Sequence, residues 1–536
     1  MVDKEQYKMK AWFVSAFVLV FGSLIITAWT LFKFSTQTIK YDTVGQQLLA
    51  HQWVQGNVGG SVVGPTNYIV KMLVVYMPAD ILHFDPKLFL IISTISINII
   101  TFVGLYFVLR AILRYFHSKA GAIFNLLMLW LATIAGSVFW IQFTNSRNLE
   151  LVAGLLILYL GLCIYRTPTV KKYVGFILLA SLTFFSDPMQ LFVTTFILLA
   201  YILMNSVIFQ RNKLKTSVVI LGCVIMSYIL SIVYVYLVES ITHISFSGVG
   251  SLSQSFAILG HIPTVALETF KNLFRLFGGS NELGIWRQAI NILLVAVLMV
   301  FSIVMLSKNK RQPETKIFVL FVSTAVVVPI AVYIASGQVL SQNDSSRYLI
   351  ILAPVLVLLF SYLGSRSMSM HVRRIAILLI ALVIIANTFS LLRATVNSYS
   401  TNFVAEDILK SKYSYLAKSD YKYGYASMDS AIAADYLFGQ RSDKVLLPLS
   451  CSPEGIKKAT LFFDRNVFLT RESDVAEMPI ILDGQSISNY PNVCGIDLIK
   501  KQLGEPIKIF VYHGDTVMLY KAETLAWIDF SVPARP

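Results

Sequence analysis

Along the first 393 residues, long apolar runs alternate with short polar connectors, and the length of the runs sets the architecture. A helix needs roughly 20 apolar residues to cross the hydrocarbon core of a bilayer, and about eleven runs meet that measure. The first extends from about Ala11 to Leu31, behind a short charged start that lacks a cleavage pattern, and reads as a retained span. Others lie near Leu88–Leu109, Gly121–Ile141, Leu149–Tyr165, Tyr173–Ser186, Met189–Phe209, Ser217–Leu237, Arg287–Leu306, Ile317–Ile334, Tyr348–Leu363 and Ile375–Leu392. The run at Tyr173–Ser186 is short, roughly 14 residues, which predicts a helix that does not cross the full thickness or that ends inside a cavity.

Alternate connectors are basic. They carry Arg110, Arg114 and Lys119; Arg166, Lys171 and Lys172; Arg211, Lys213 and Lys215; Lys308, Lys310, Arg311 and Lys316; and Arg366, Arg373 and Arg374. All of these fall on one side of the membrane if every span is real, and the positive-inside rule makes that side the cytoplasm. The N-terminus is then inside and the C-terminus outside, as an odd number of spans requires. The outward side receives Phe32–Lys87, a loop near Thr144–Asn148, Glu239–Trp286, Ser336–Arg347 and everything after about Arg393. Neither a repeat nor a low-complexity segment is evident.

From about Ala394 the texture changes to mixed polar and apolar residues. Strand-like runs at Lys444–Pro448, Met478–Leu482, Lys508–His513 and Met518–Lys521 alternate with helical patterns near Ser430–Leu437 and Ile496–Leu503. The chain thus reads as an α-helical polytopic membrane domain over residues 1–393, with its first outside loop at 32–87, followed by a small extracytoplasmic α/β domain over 394–536. Cys451 and Cys494 fall in that domain, in an oxidising compartment, so either a disulfide between them or two buried thiols fits the sequence. Cys163 and Cys223 lie in spans.

Composition agrees. With 56% hydrophobic and 14% charged residues and a mean hydropathy of +0.68, a soluble globule would lack polar surface. Lys and Arg number 44 against 29 Asp and Glu, but the basic residues sit at the ends of apolar runs, which argues against nucleic acid as a partner.

Candidate chemistry lies on the outward side. Tyr41-Asp42-Thr43 opens an expected amphipathic helix along the membrane surface that contains Gln46, His51 and Trp53. On the residue alone Asp42 fits first an N-cap, with Thr43 and Gln46 as a capping box, and also a general base taking a proton from an acceptor hydroxyl. Arg147-Asn148-Leu149-Glu150 opens a span, and Glu150 either complements the helix dipole or serves function, since ionisable groups at membrane depth are costly. Ser186-Asp187-Pro188 is a complete helix-start device that also follows the short span, which sets Asp187 below the outer surface. Asp42, Glu150 and Asp187 together offer oxygen ligands to a divalent cation, although no tight metal-ligand spacing is present. Arg347, outward against the basic trend, matches a lipid phosphate in geometry or pairs with Asp344.

Taken together, Tyr41-Asp42 with Gln46, Arg147-Asn148-Leu149-Glu150, Ser186-Asp187-Pro188, Ser346-Arg347-Tyr348-Leu349 and Tyr423-Gly424-Tyr425-Ala426-Ser427 resemble the GT-C-fold glycosyltransferases. That superfamily includes protein O-mannosyltransferases and lipid A aminoarabinose transferases. The resemblance implies inverting transfer of a sugar from a polyprenyl-phosphate carrier to a glycan, lipid or protein acceptor outside the cytoplasmic membrane. It implies Asp42 as catalytic base, Arg347 and Arg147 at the donor phosphate, and Glu150, Asp187, Gln46, Tyr41 and His51 around the pocket. Two departures stand out. Thr43 replaces the second acid of many relatives, which leaves metal use open, and Met428-Asp429 replaces Tyr-Trp in the tail. A transporter or flippase of lipid-linked glycan would share the spans and acids, but calls for repeated halves with interrupted helices in matching positions.

Overall fold

The computed structural model describes residues 41–54, 62–63, 75–117, 148–209, 214–242, 245–246, 262–276, 312–335, 349–367, 413–434, 444–452, 455–459, 476–482 and 494–529, with scattered helical positions between 14 and 25, between 289 and 307 and at 385. The expected spans near Ala11–Leu31, Gly121–Ile141, Arg287–Leu306 and Ile375–Leu392 lie outside the described residues for all or most of their length. Two compact units emerge: residues 1–31, 94–233 and 250–397 form the first, and residues 32–93, 234–249 and 398–536 the second.

The first unit is helical. Its helices are most of α3 (Pro86–Tyr115), α4 (Asn148–Arg166), α5 (Val170–Ser186), α6 (Met189–Phe209), most of α7 (Leu214–Thr242), α8 (Ile262–Leu276), α9 (Pro313–Ala335) and α10 (Leu352–Ser367). Among the described residues, Leu149–Arg166, Gln190–Ile208, Lys215–Ile241 and Pro313–Ile334 are long and apolar enough to cross a membrane. On α7 the apolar residues face outward, with Val218, Leu221, Ile225, Ile229 and Leu237 exposed, which suits lipid and not water. The helix at α5 has 17 residues, starting at Val170 where the sequence placed Tyr173, and so adds Lys171 and Lys172 at its foot. Lys172 Nζ donates to the Thr167 carbonyl at 2.7 Å, fixing this basic connector. At 1.5 Å per residue the helix still spans only about 25 Å, short of the roughly 30 Å hydrocarbon core.

Close helix approach comes from small residues, the usual device where helices gain nothing from the hydrophobic effect within lipid. Gly104 of α3 lies against Val152 of α4, and Gly161 of α4 lies against Leu198 of α6. At the same end as the basic connectors, Phe116, Tyr201, Phe318 and Phe321 form an aromatic cluster, and Phe318 stacks on Tyr362 with ring centroids 3.8 Å apart. Asn205, buried on α6, donates to the Tyr165 hydroxyl at 3.1 Å and ties α6 to α4.

The second unit is built on a six-stranded sheet of order β5-β4-β3-β6-β8-β7. Its strands are β3 (Tyr423–Ser427), β4 (Val445–Ser452), β5 (Gly455–Lys458), β6 (Glu477–Leu482), β7 (Lys508–Tyr512) and β8 (Asp515–Lys521). The three central strands β4, β3 and β6 run parallel, and the flanking pairs are antiparallel. Helix α11 (Met428–Ala434) follows β3 and leads to β4, the crossover that a parallel pair needs. Cys451 of β4 and Cys494 are joined by a disulfide, Cα–Cα 5.2 Å, which decides between the two readings of these cysteines. It brings α12 (Ile496–Leu503) to the sheet, where Gln502 accepts from Ile456 N–H at 2.6 Å and donates to the Ile456 carbonyl at 3.0 Å. That side chain occupies the backbone groups of β5 as a further strand would. Tyr520 of β8 donates to the Gly504 carbonyl at 3.0 Å, and burial, with the Glu505 charge second, pushes its phenol up to about 12.

Residues 32–93 and 234–249, which include parts of two loops that the sequence reading expects outside, belong to this unit as well. Helix α1 (Tyr41–Val54) packs on α11 and on the short α2 (Met77–Ile81). Strands β1 (Val62–Val63) and β2 (Ser245–Phe246) pair in parallel, so the segment after α1 meets the segment after α7. The expected surface helix is corrected here. Residues 45–50 of α1 are buried without interruption, and six successive helical positions cover every direction around the axis. Protein therefore surrounds residues 45–50 of α1, where one face was expected to meet lipid. The tail segment Tyr423–Ser427, one of the five in which the resemblance lies, is β3, with Tyr425 fully buried as part of the sheet's core.

Candidate functional site

Acidic and amide side chains gather where α4, α5 and α6 end on the side opposite the basic connectors. Glu150 stands in the first turn of α4, 4% exposed. Ser186, the last residue of α5, donates from Oγ to Glu150 Oε1 at 3.1 Å. Asp187 is fully buried. Pro188 excludes its neighbour from helical geometry, so α5 stops at Asp187 in an extended conformation (φ −140°, ψ 94°). Its N–H still donates to the Thr183 carbonyl at 2.8 Å, while its own carbonyl accepts from Gln190 N–H at 3.0 Å. Asp187 thus closes α5 and opens α6.

The network continues along α6. Gln190 Nε2 donates to Asp187 Oδ2 at 3.4 Å, and Thr194 Oγ1 donates to Gln190 Oε1 at 3.2 Å. Gln190 and Thr194 are four residues apart and share a face of the helix. Opposite them, Gly154 is one turn beyond Glu150, and a Cβ there would stand 2.5 Å from Gln190 Oε1 and 2.9 Å from Thr194 Oγ1. A bare backbone at 154 is what admits these polar side chains between the helices. Gly154→Val is expected to push the Gln190 and Thr194 side chains aside and break their hydrogen bond, at a cost of about 1–3 kcal/mol of overpacking. The check is thermal unfolding of the purified variant in detergent, together with its activity.

The structure brings together Glu150 and Asp187 from the sequence-derived set, through Ser186 at one and Gln190 at the other. Thr194 and Gly154 belong to the same place and were not singled out, although the i, i+4 spacing of Gln190 with Thr194 and of Glu150 with Gly154 is visible in the sequence. In the second unit, Gln46 is buried, 2% exposed, on α1, and His51 Nδ1 lies 2.8 Å from Asp80 Oδ1. Asp80 is a further partner that sequence reading passed over. Arg147, Arg347 and the side chains of Tyr41 and Asp42 lie outside the described residues. Among the described residues, no group of three His, Cys, Asp or Glu stands close enough to hold a metal ion.

No protein-family model matches the sequence, and no curated protein sequence matches it. The fold does have solved counterparts. The chain is similar to ArnT from Cupriavidus metallidurans in the apo state, with a TM-score of 0.54 and 11% identity over 97% of this chain and 99% of that one. It is also similar to ArnT from the same organism bound to undecaprenyl phosphate, with a TM-score of 0.51 and 11% identity over 98% of this chain and 99% of the other. The likeness is one of fold, and it agrees with the GT-C layout that the sequence segments resemble.

Proposed function

We propose that the protein transfers a sugar from a polyprenyl-phosphate carrier to a cell-envelope acceptor on the outer face of the cytoplasmic membrane. The observation that carries this reading is a fold shared, along nearly the whole chain, with a protein solved with undecaprenyl phosphate bound. The buried acids Glu150 and Asp187 support it, because carboxylates held by hydroxyl and amide groups at the ends of apolar helices are costly and suit a polar substrate. Residues 32–93, 234–249 and 398–536 form one compact unit, which fits their lying together on the outer side, with the N-terminus inside.

In this reading the acceptor hydroxyl gives its proton to Asp42 as its oxygen bonds the anomeric carbon. The bond from that carbon to the carrier phosphate breaks, and polyprenyl phosphate leaves with the electron pair. One displacement of this kind inverts the anomeric centre. Arg347 and Arg147 neutralise charge on the departing phosphate, a task that suits the guanidinium fork. Glu150 and Asp187, held by Ser186 and Gln190, shape the pocket. In the same reading Gln46 and Tyr41 are further pocket residues near Asp42.

The carrier is common to every donor of this class, so binding of undecaprenyl phosphate itself is the test that needs no knowledge of the sugar. At 100 times its dissociation constant it is expected to raise the unfolding free energy by about 2.7 kcal/mol, read as a higher melting temperature in detergent. Arg347→Ala is expected to remove most of that stabilisation. Equal melting temperatures for the wild type with and without the lipid would refute the reading.

A further inference from the structure

Near its far end, the helix that carries Asp42 makes a polar contact with α2. His51, in the last turn of α1, meets Asp80 of α2 with Nδ1 and Oδ1 2.8 Å apart, and the two side chains are only 18% and 20% exposed. Asp80 stands on a closed turn. Leu82 N–H donates to the Pro78 carbonyl at 3.1 Å, His83 N–H to the Asp80 carbonyl at 2.9 Å and Phe84 N–H to the Ala79 carbonyl at 3.3 Å, while His83 takes the left-handed conformation with φ 54°. The turn runs directly into α3. Asp85 caps that helix by accepting from Leu88 N–H at 3.0 Å, and Phe89 in its first turn packs against both Tyr76 and Phe84. Asp80 is therefore mounted on the head of a long apolar helix, and His51 is gripped by a rigid partner.

Nine residues separate Asp42 from His51, which at 1.5 Å per residue is about 13 Å along the axis. His51 is too distant to share a proton with Asp42. A rigid helix nonetheless passes any rotation or slip at one end to the other, and an error of about 1 Å in a reacting group costs on the order of a hundredfold in rate.

We propose that His51 and Asp80 are positioning residues: Asp80 holds His51 and thereby fixes the register of α1, and with it the place of Asp42. The proposal rests on the reading of Asp42 as the base. Because positioning works through geometry, it is separable from chemistry done by the imidazole itself. An asparagine at 51 puts an amide nitrogen near the place of Nδ1, so it keeps the hydrogen bond to Asp80 and discards the ring.

The test uses the purified full-length wild type with His51→Ala, His51→Asn, Asp80→Ala, the double Ala variant and Asp42→Asn. Two readouts are taken: sugar-transfer kinetics, and amide hydrogen exchange over residues 41–54 by mass spectrometry. His51→Ala and Asp80→Ala are each expected to lower kcat by about a hundredfold, with KM for the donor nearly unchanged and faster exchange in α1. The double variant is expected to lose no more than either single one, since both remove the same contact. His51→Asn is expected to restore kcat to within a few-fold and exchange to the wild-type rate. Unchanged exchange in His51→Ala would overturn the proposal whatever the kinetics. Kinetic loss in His51→Asn as deep as in His51→Ala, with wild-type exchange, would make His51 a group that acts on substrate and would also overturn it. Full activity in Asp42→Asn would instead remove the base assignment, and the exchange data would still judge the tether.

Discussion

Asp42→Asn is expected to lower sugar transfer by about 10²- to 10⁴-fold while leaving donor binding almost unchanged, the range that loss of a general base produces. The amide keeps the size and the helix-capping ability of the carboxylate but cannot take up a proton at neutral pH. The substitution thus separates the two roles the sequence allows for Asp42. A residue that acts only as an N-cap would lose almost no helix stability and little activity, because Asn caps as well as Asp. Loss of turnover in a protein with wild-type melting temperature and wild-type affinity for the carrier marks the base. Single-turnover kinetics with bound donor read the chemical step directly.

The second large effect is structural. Removing the Cys451–Cys494 bond, which closes 43 residues of chain, is expected to destabilise the second unit by about 4 kcal/mol on the loop-entropy model. The consequence has a particular location. The bond draws the start of α12 to the end of β4, and from α12 Gln502 holds both backbone groups of Ile456 on β5. Reduction or Cys494→Ser therefore exposes the β5 edge before the rest of the sheet. Limited proteolysis with and without reductant checks this, with cleavage expected first near residues 453–460.

How much of this was legible in the sequence depends on whether the signal is local. Run length alone places α4, α6, α7 and α9, and alternation of short apolar runs with turn residues places β4, β6, β7 and β8 within a few residues of their ends. The Ser186-Asp187-Pro188 segment is equally local, because a proline forces its predecessor out of the helix wherever the fold puts it.

Contacts made across the fold were not legible. Tyr41–Val54 mixes polar and apolar residues in a way that resembles a surface helix, and it is packing across the fold, with α11 and α2 among its neighbours, that buries Gln46 and Gln47 together with Leu48 and Leu49. Asp80 looks like an ordinary loop acid until His51, 29 residues earlier, is placed beside it. Gly154 reads as one more small residue in an apolar run, and its use becomes clear only once Gln190 and Thr194 fill the space beside it. Cysteine spacing could not pair Cys451 with Cys494, since the pairing depends on where α12 docks.

The most direct measurement is donor turnover in proteoliposomes. Purified wild type and Asp42→Asn are given a panel of labelled polyprenyl-phosphate sugars with cell-envelope acceptors, and free polyprenyl phosphate and labelled acceptor are quantified together. The expected result is equal appearance of both products with one donor for the wild type, and almost none for Asp42→Asn. Movement of intact lipid-linked sugar between leaflets, without cleavage of its phosphate bond, would contradict sugar transfer and identify a transporter.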